Sequence, residues 1–186
     1  MFQFINKYIK NERSSITLWV TLSLPVIIIL FFFLFLRTNN IFQGTRYLQN
    51  VGDLASSSAV SQINMNSLFT VPLDENEPLP LIEEDAAITV AQEYLKDNLS
   101  QQSDMFTSDV IDLIDKNDLS VAETNYMPTI PDQEGIAIIV LNDRGISYNP
   151  ATDEPITSPS VLIVMQFRMN VMAGTQIVTT YSIASI

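Results

Sequence analysis

The sequence predicts an α+β protein: a single N-terminal transmembrane helix continuing into a helical stalk, then a small extracytoplasmic domain with an antiparallel sheet and a C-terminal hairpin. Three observations carry this. Ser14 to Leu36 is a run of 23 residues without a charge; Thr38 to Met65 has no proline and repeats its apolar residues at helical spacing; and the last third alternates as strands do. The expected boundaries are 1–13 for a cytoplasmic segment, 14–36 for the span, 37–66 for the stalk and 67–186 for the outer domain.

A helix of the length of Ser14–Leu36 reaches roughly 35 Å, enough for a hydrocarbon core of about 30 Å. It is apolar on every face, unlike the amphipathic helices of small soluble domains. A secretory signal has a shorter apolar region and small residues at its cleavage site, whereas this run ends in Phe31-Phe32-Phe33-Leu34-Phe35-Leu36-Arg37. The expectation is therefore an uncleaved anchor. Residues 1–37 carry four basic side chains and one acidic, residues 38–186 five basic and twenty acidic. That asymmetry keeps the N-terminus in the cytoplasm and sends the acidic part across the cytoplasmic (inner) membrane, with display at the cell surface left open. In residues 1–12, Phe2, Ile5, Tyr8 and Ile9 fit either a short interfacial helix or a frayed tail. Pro25 removes one backbone hydrogen bond inside the span, and neighbouring helices or the hydroxyls of Thr21 and Ser23 can serve the freed carbonyl.

In the stalk, Leu48, Val51, Ala55, Ser58 and Gln62 recur at three- and four-residue spacing. Gly44 and Gly52 weaken the helix, while Ala55 to Ala59 (ASSSA) is small enough for close helix contact. The stripe serves either a neighbouring subunit or the core of its own domain.

Val71 to Asp85 holds three prolines and six acidic residues and reads as a linker. Glu83, Glu84 and Asp85 then suit a helix start, with Ile88, Ala91, Leu95 and Leu99 as its stripe. A weaker helical signal covers Ser103 to Lys116. From Leu119 onward strands are expected. Ile136–Leu141 ends in the turn residues Asn142-Asp143-Arg144-Gly145, and Val161–Met172 and Gln176–Ile186 form a hairpin about Ala173-Gly174-Thr175 in a sheet of three to five strands.

Composition excludes much chemistry. With no Cys and no His among 186 residues there is no disulfide, thiolate, imidazole base or ordinary zinc centre. A net charge of −12, with nine Lys and Arg spread along the chain, argues against nucleic acid. Asp109, Asp112 and Asp115 lack a second ligand-bearing segment. Asp115-Lys116-Asn117-Asp118 fails the calcium-loop pattern, because Ser120 stands where glycine is required. Asp143 with Asp153 and Glu154 leaves calcium open, against an exposed hairpin loop. No phosphate loop or nucleophile elbow occurs. The expectation is a non-catalytic protein without cofactor or small-molecule substrate.

Three strings in order, Arg13-Ser14-Ser15-Ile16-Thr17, Leu22-Ser23-Leu24-Pro25-Val26 and Leu48-Gln49-Asn50-Val51-Gly52-Asp53-Leu54-Ala55, resemble the N-terminal region of TadE/TadG-type tight-adherence (Flp) pilus assembly proteins. That family has a basic leader, a span with Leu-Pro, and a helix with a Leu-Gln-x-x-x-Asp-x-Ala pattern. The resemblance covers residues 13–60, about a quarter of the chain. There is no Gly or Ala before position 44 and no acidic residue in the span, so it points to the uncleaved, TadG-like members. Ser56-Ser57-Ser58 replaces the usual alanine tract. The resemblance implies a membrane-anchored structural or assembly subunit, a minor pilin whose partners are the membrane and other pilus subunits. Its packing residues would be Leu24, Pro25, Leu48, Gln49, Val51, Asp53, Ala55, Ser58 and Ala59. The other reading of the residues is a membrane-tethered binding module for an envelope partner or ligand.

Overall fold

The computed structural model describes residues 12–70, 80–142, 148–150, 152–172 and 174–186. The expected interfacial helix of the first residues, most of the acidic linker, and Asp143 lie outside them. By contacts the chain divides at Asn40/Ile41 into two units.

The first unit contains the opening part of helix α1, which spans Glu12–Val60. Its residues from Ile16 to Phe35 are all exposed, among them Trp19, Phe31 and Phe35 at 68–71%. Thr21 and Thr38 return their hydroxyls to the carbonyls of Thr17 and Leu34, four residues back, at 2.7 and 2.9 Å. Their polar groups are thereby satisfied inside the helix, as an apolar medium requires. Among the described residues, α1 is the one helix long and apolar enough to cross a membrane, which is consistent with a single-pass membrane protein.

The second unit is an α+β domain built from the rest of α1, α2 (Ser67–Thr70), α3 (Glu84–Leu99), a 3-10 helix (Ser100–Met105), α4 (Val110–Lys116), β1 (Gly135–Leu141), β2 (Ser160–Val171) and β3 (Gly174–Ser185). The strands form one antiparallel sheet in the order β1-β2-β3. β2 is central and almost wholly buried, because Val161, Ile163, Met165, Phe167 and Met169 face the helices while Leu162 and Val164 face the opposite layer. On the helical face, Leu48, Val51, Ala55 and Ala59 of α1 and Ala87, Ala91, Leu95 and Leu99 of α3 join one core. Burying a side chain such as Leu48 contributes about 1.5–3 kcal/mol. Leu119 and Tyr126, from the irregular stretch before β1, cover the second face.

Several expectations are corrected here. The helix expected over 37–66 ends at Val60, and by contacts its residues from Ile41 onward group with the rest of the second unit. The stripe of α3 runs through Ala87 rather than Ile88, which is only half-buried. The weak helix over 103–116 is broken at Phe106, which leaves the helix and bridges to Met169. α4 then restarts under a cap from the Asp109 side chain to the Ile111 amide, 3.0 Å. The strands do not begin at Leu119: the stretch up to β1 carries only an isolated bridge between Val121 and Pro128. The C-terminal hairpin pairs Val171 with Gly174, so Gly174 and Thr175 belong to β3 rather than to the turn, and Gly174 stands at φ 138°, a conformation open to glycine.

Candidate functional site

The residues expected to pack against other subunits fall into two groups. Leu24 and Pro25 lie in the apolar part of α1, and Leu24 is 55% exposed. The hydroxyls expected to serve the carbonyl that Pro25 frees do not reach it. Thr21 donates to the Thr17 carbonyl and Ser23 to that of Val20, at 2.7 and 3.3 Å.

The second group lies in the domain, and most of it faces inward. Leu48, Ala55 and Ala59 have no exposed surface and Val51 has 4%, so the small-residue stripe belongs to the domain's own core. Ser58 is half-buried and Asp53 exposed. The stripe also includes Gly44 and Gly52. A Cβ on Gly44 would collide with the Met169 methyl, and one on Gly52 would lie 2.7 Å from the Met165 Cε. Gly52 brings α1 closer to the sheet than a larger residue permits, whereas at Gly44 the atoms in the way are the flexible ends of Met169 and Met105. Sequence reasoning saw them only as helix weakeners; the available signal was that both fall on the face of Leu48 and Ala55.

Gln49 and Asp53 act together. The Gln49 Nε2 donates to the Asp53 carboxylate at 2.9 Å, to the Tyr181 carbonyl at 2.8 Å and to the Ser182 hydroxyl at 3.2 Å. Thus the Leu-Gln-x-x-x-Asp-x-Ala string clips α1 onto β3: Leu48 and Ala55 fill the core, Gln49 holds the strand and Asp53 holds Gln49. On the other flank of α1, the Tyr47 hydroxyl donates to the Asn98 carbonyl at 2.6 Å. Burial pushes the Tyr47 and Tyr181 hydroxyls above their ordinary range.

A second polar cluster, unforeseen from the sequence, closes the end of the sheet beyond β1. Gln166, 3% exposed, donates to the carbonyls of Ile130, Pro131 and Gln133 and accepts from Thr179. Glu134 accepts from the Arg168 amide at 2.7 Å and from the Ser108 hydroxyl, and pairs with the Arg168 guanidinium at 3.8 Å. The outer edge of β1 is likewise occupied. Leu119 donates its amide to the Ile136 carbonyl at 3.1 Å, and the Asn117 side chain accepts the Ile138 amide at 2.8 Å.

The acidic candidates stay apart. Asp109 caps α4, Asp112 pairs with Lys116, and Asp115 with Lys96. Asp153 and Glu154 sit in a turn closed by the Tyr148–Pro155 bridge. Among the described residues no group of three or more acidic side chains is placed to hold a metal ion. The chain matches no family model, no curated protein and no solved structure.

Proposed function

We propose that the protein is a membrane-anchored, non-catalytic structural or assembly subunit of a cell-envelope machine of the tight-adherence pilus type. In this reading α1 crosses the inner membrane once, with its N-terminus in the cytoplasm and the acidic domain outside. The observation that carries it is the uninterrupted exposure of the uncharged stretch Ile16 to Phe35, beside a domain that has its own complete core. A helix surface of that kind finds its solvent in lipid or in other apolar helices. The order of the Leu-Pro and Leu-Gln-x-x-x-Asp-x-Ala strings supports the pilus class. Deleting the gene should abolish surface pili and the full chain should restore them; pili that persist without it overturn the assignment. Because the chain has no cysteine, Ser100→Cys and Gln3→Cys report topology cleanly. A membrane-impermeant maleimide applied to sealed spheroplasts should label the first and spare the second.

One observation favours the second reading, a membrane-tethered binding module. The stripe that would have packed against neighbouring subunits is filled by the domain's own sheet. Contact with partners then falls to the surface of the domain. Wild-type pili in the deletion strain, together with outward labelling of Ser100→Cys, would select this reading.

A further inference from the structure

β3 is the open edge of the sheet. The Ile186 amide donates to the Pro159 carbonyl at 3.1 Å, which continues the β2–β3 register and directs the backbone groups of even-numbered residues of β3 toward β2. Those of Ile177, Thr179, Tyr181 and Ile183 therefore point outward, and the Gln49 side chain meets the Tyr181 carbonyl from that side. Proteins guard such edges with proline, charge, a bulge or a covering element. β3 holds no proline and no charged residue, and its pairing with β2 is unbroken from Gly174 to Ser185. Two of its outward carbonyls, those of Tyr181 and Ile177, accept from the Gln49 and Gln176 side chains at 2.8 and 3.4 Å, and an incoming strand displaces those two amides.

We infer that the outer edge of β3 accepts an extended strand from a different protein, uncharged at its centre and basic at its flanks. The flanks follow from charge. Asp132 lines an open recess with Thr175, Gln176 and Ile177, and Asp53 lies beside Tyr181 through Gln49. Neither carboxylate has a basic partner among the described residues, and Arg168 in the recess is offset by Glu134. Gln176 and Tyr181, the strand residues nearest to them, stand about 17 Å apart along β3. Alternate apolar side chains of the incoming strand cover the half-buried Ile177, Tyr181 and Ile183.

Two other occupants fit worse. Residues 71–79 of this chain carry two prolines and three acidic side chains, which lack amides and repel Asp53 and Asp132. A second copy offers at its own β3 edge the same two carboxylates, Asp53 and Asp132, and no basic flank, so like charges would oppose each other. Parallel pairing of identical edges also opposes outward residues to outward residues and cannot keep an exact two-fold axis.

The test uses the full chain in detergent micelles and a peptide of alternating threonine and valine with lysines at both ends. Fluorescence anisotropy should show saturable binding, and hydrogen exchange at the Ile177, Thr179 and Ile183 amides should slow about tenfold, while β1 amides stay unchanged. The same peptide with glutamates at its ends should bind about tenfold more weakly. Thr179→Pro removes one outward amide and should abolish binding, whereas Thr179→Ala, which loses only the hydroxyl, should retain it. Unchanged exchange along β3 with either peptide overturns the proposal, and equal affinity for both peptides overturns the basic flanks. Amides already protected without peptide, more strongly at higher protein concentration, would assign the edge to a second copy. Should Thr179→Pro unfold the domain, the exchange data on the unaltered chain decide alone. Slowed exchange in a protein whose deletion leaves pili intact would sink only the pilus assignment.

Discussion

Gly52 of α1 and Ser182 of β3 face each other with no space for another carbon: a Cβ on Gly52 would stand 3.0 Å from the Ser182 Cβ. Gly52→Ala sets a helix-propensity gain of about 1 kcal/mol against overpacking of typically 1–3 kcal/mol. The Ser182 side chain is short and the contact lies close to the strand backbone, so overpacking wins. Urea unfolding of the full chain in micelles, followed by near-ultraviolet circular dichroism, should show a net loss of about 1 kcal/mol. Gly44→Ala should cost less, because what it meets is the mobile end of Met169.

Ala55→Leu should unfold the domain rather than disrupt assembly selectively. Ala55 has no exposed surface, so three added carbons must displace core side chains. The same burial predicts that a fragment beginning at Ile41 folds and one beginning at Pro72 does not, as amide dispersion in proton NMR spectra would show. A well-dispersed spectrum from the shorter fragment would place α1 outside the core.

Gln49→Ala removes the bonds to Tyr181 and Ser182 and should cost about 1 kcal/mol. Its signature is local, with faster hydrogen exchange around Tyr181 and Ser182 and little change in β1.

Gln166→Leu should be worse, although its shape is similar. It leaves the carbonyls of Ile130, Pro131 and Gln133 without their shared donor, at about 1–3 kcal/mol for each group that stays dry. Calorimetric melting should show a loss above that of Gln49→Ala.

Alkaline pH should weaken the domain. Burial raises the Tyr47 and Tyr181 hydroxyls, so the folded state favours their neutral forms. That contribution is complete below the unfolded value near 10 and is lost as pH rises through the raised folded values. The urea midpoint should therefore hold below pH 10 and fall above it. In Tyr47→Phe it should start lower, for want of the bond to Asn98, and fall less steeply.

The sequence by itself determined the elements whose cause is local. Absence of charge from Ser14 to Leu36 marks an apolar helix wherever it is solvated, and alternation over Val178 to Ala184 marks a strand whatever covers it. The C-terminal hairpin, the helix near residue 84 and the helical character of the segment after the span were legible for that reason. Pairings between distant residues were not. Nothing near Gln49 names Tyr181, 132 positions away, and nothing near Gln166 names the carbonyls at 130–133. Only the tertiary structure decided which surface covers Leu48, Val51, Ala55 and Ala59. A stripe of small side chains allows close approach equally to a neighbouring helix and to the domain's own sheet. The choice was made by Met165, Met169 and Ser182 fitting over Gly44 and Gly52, a match of shapes that exists only once the strands are in register.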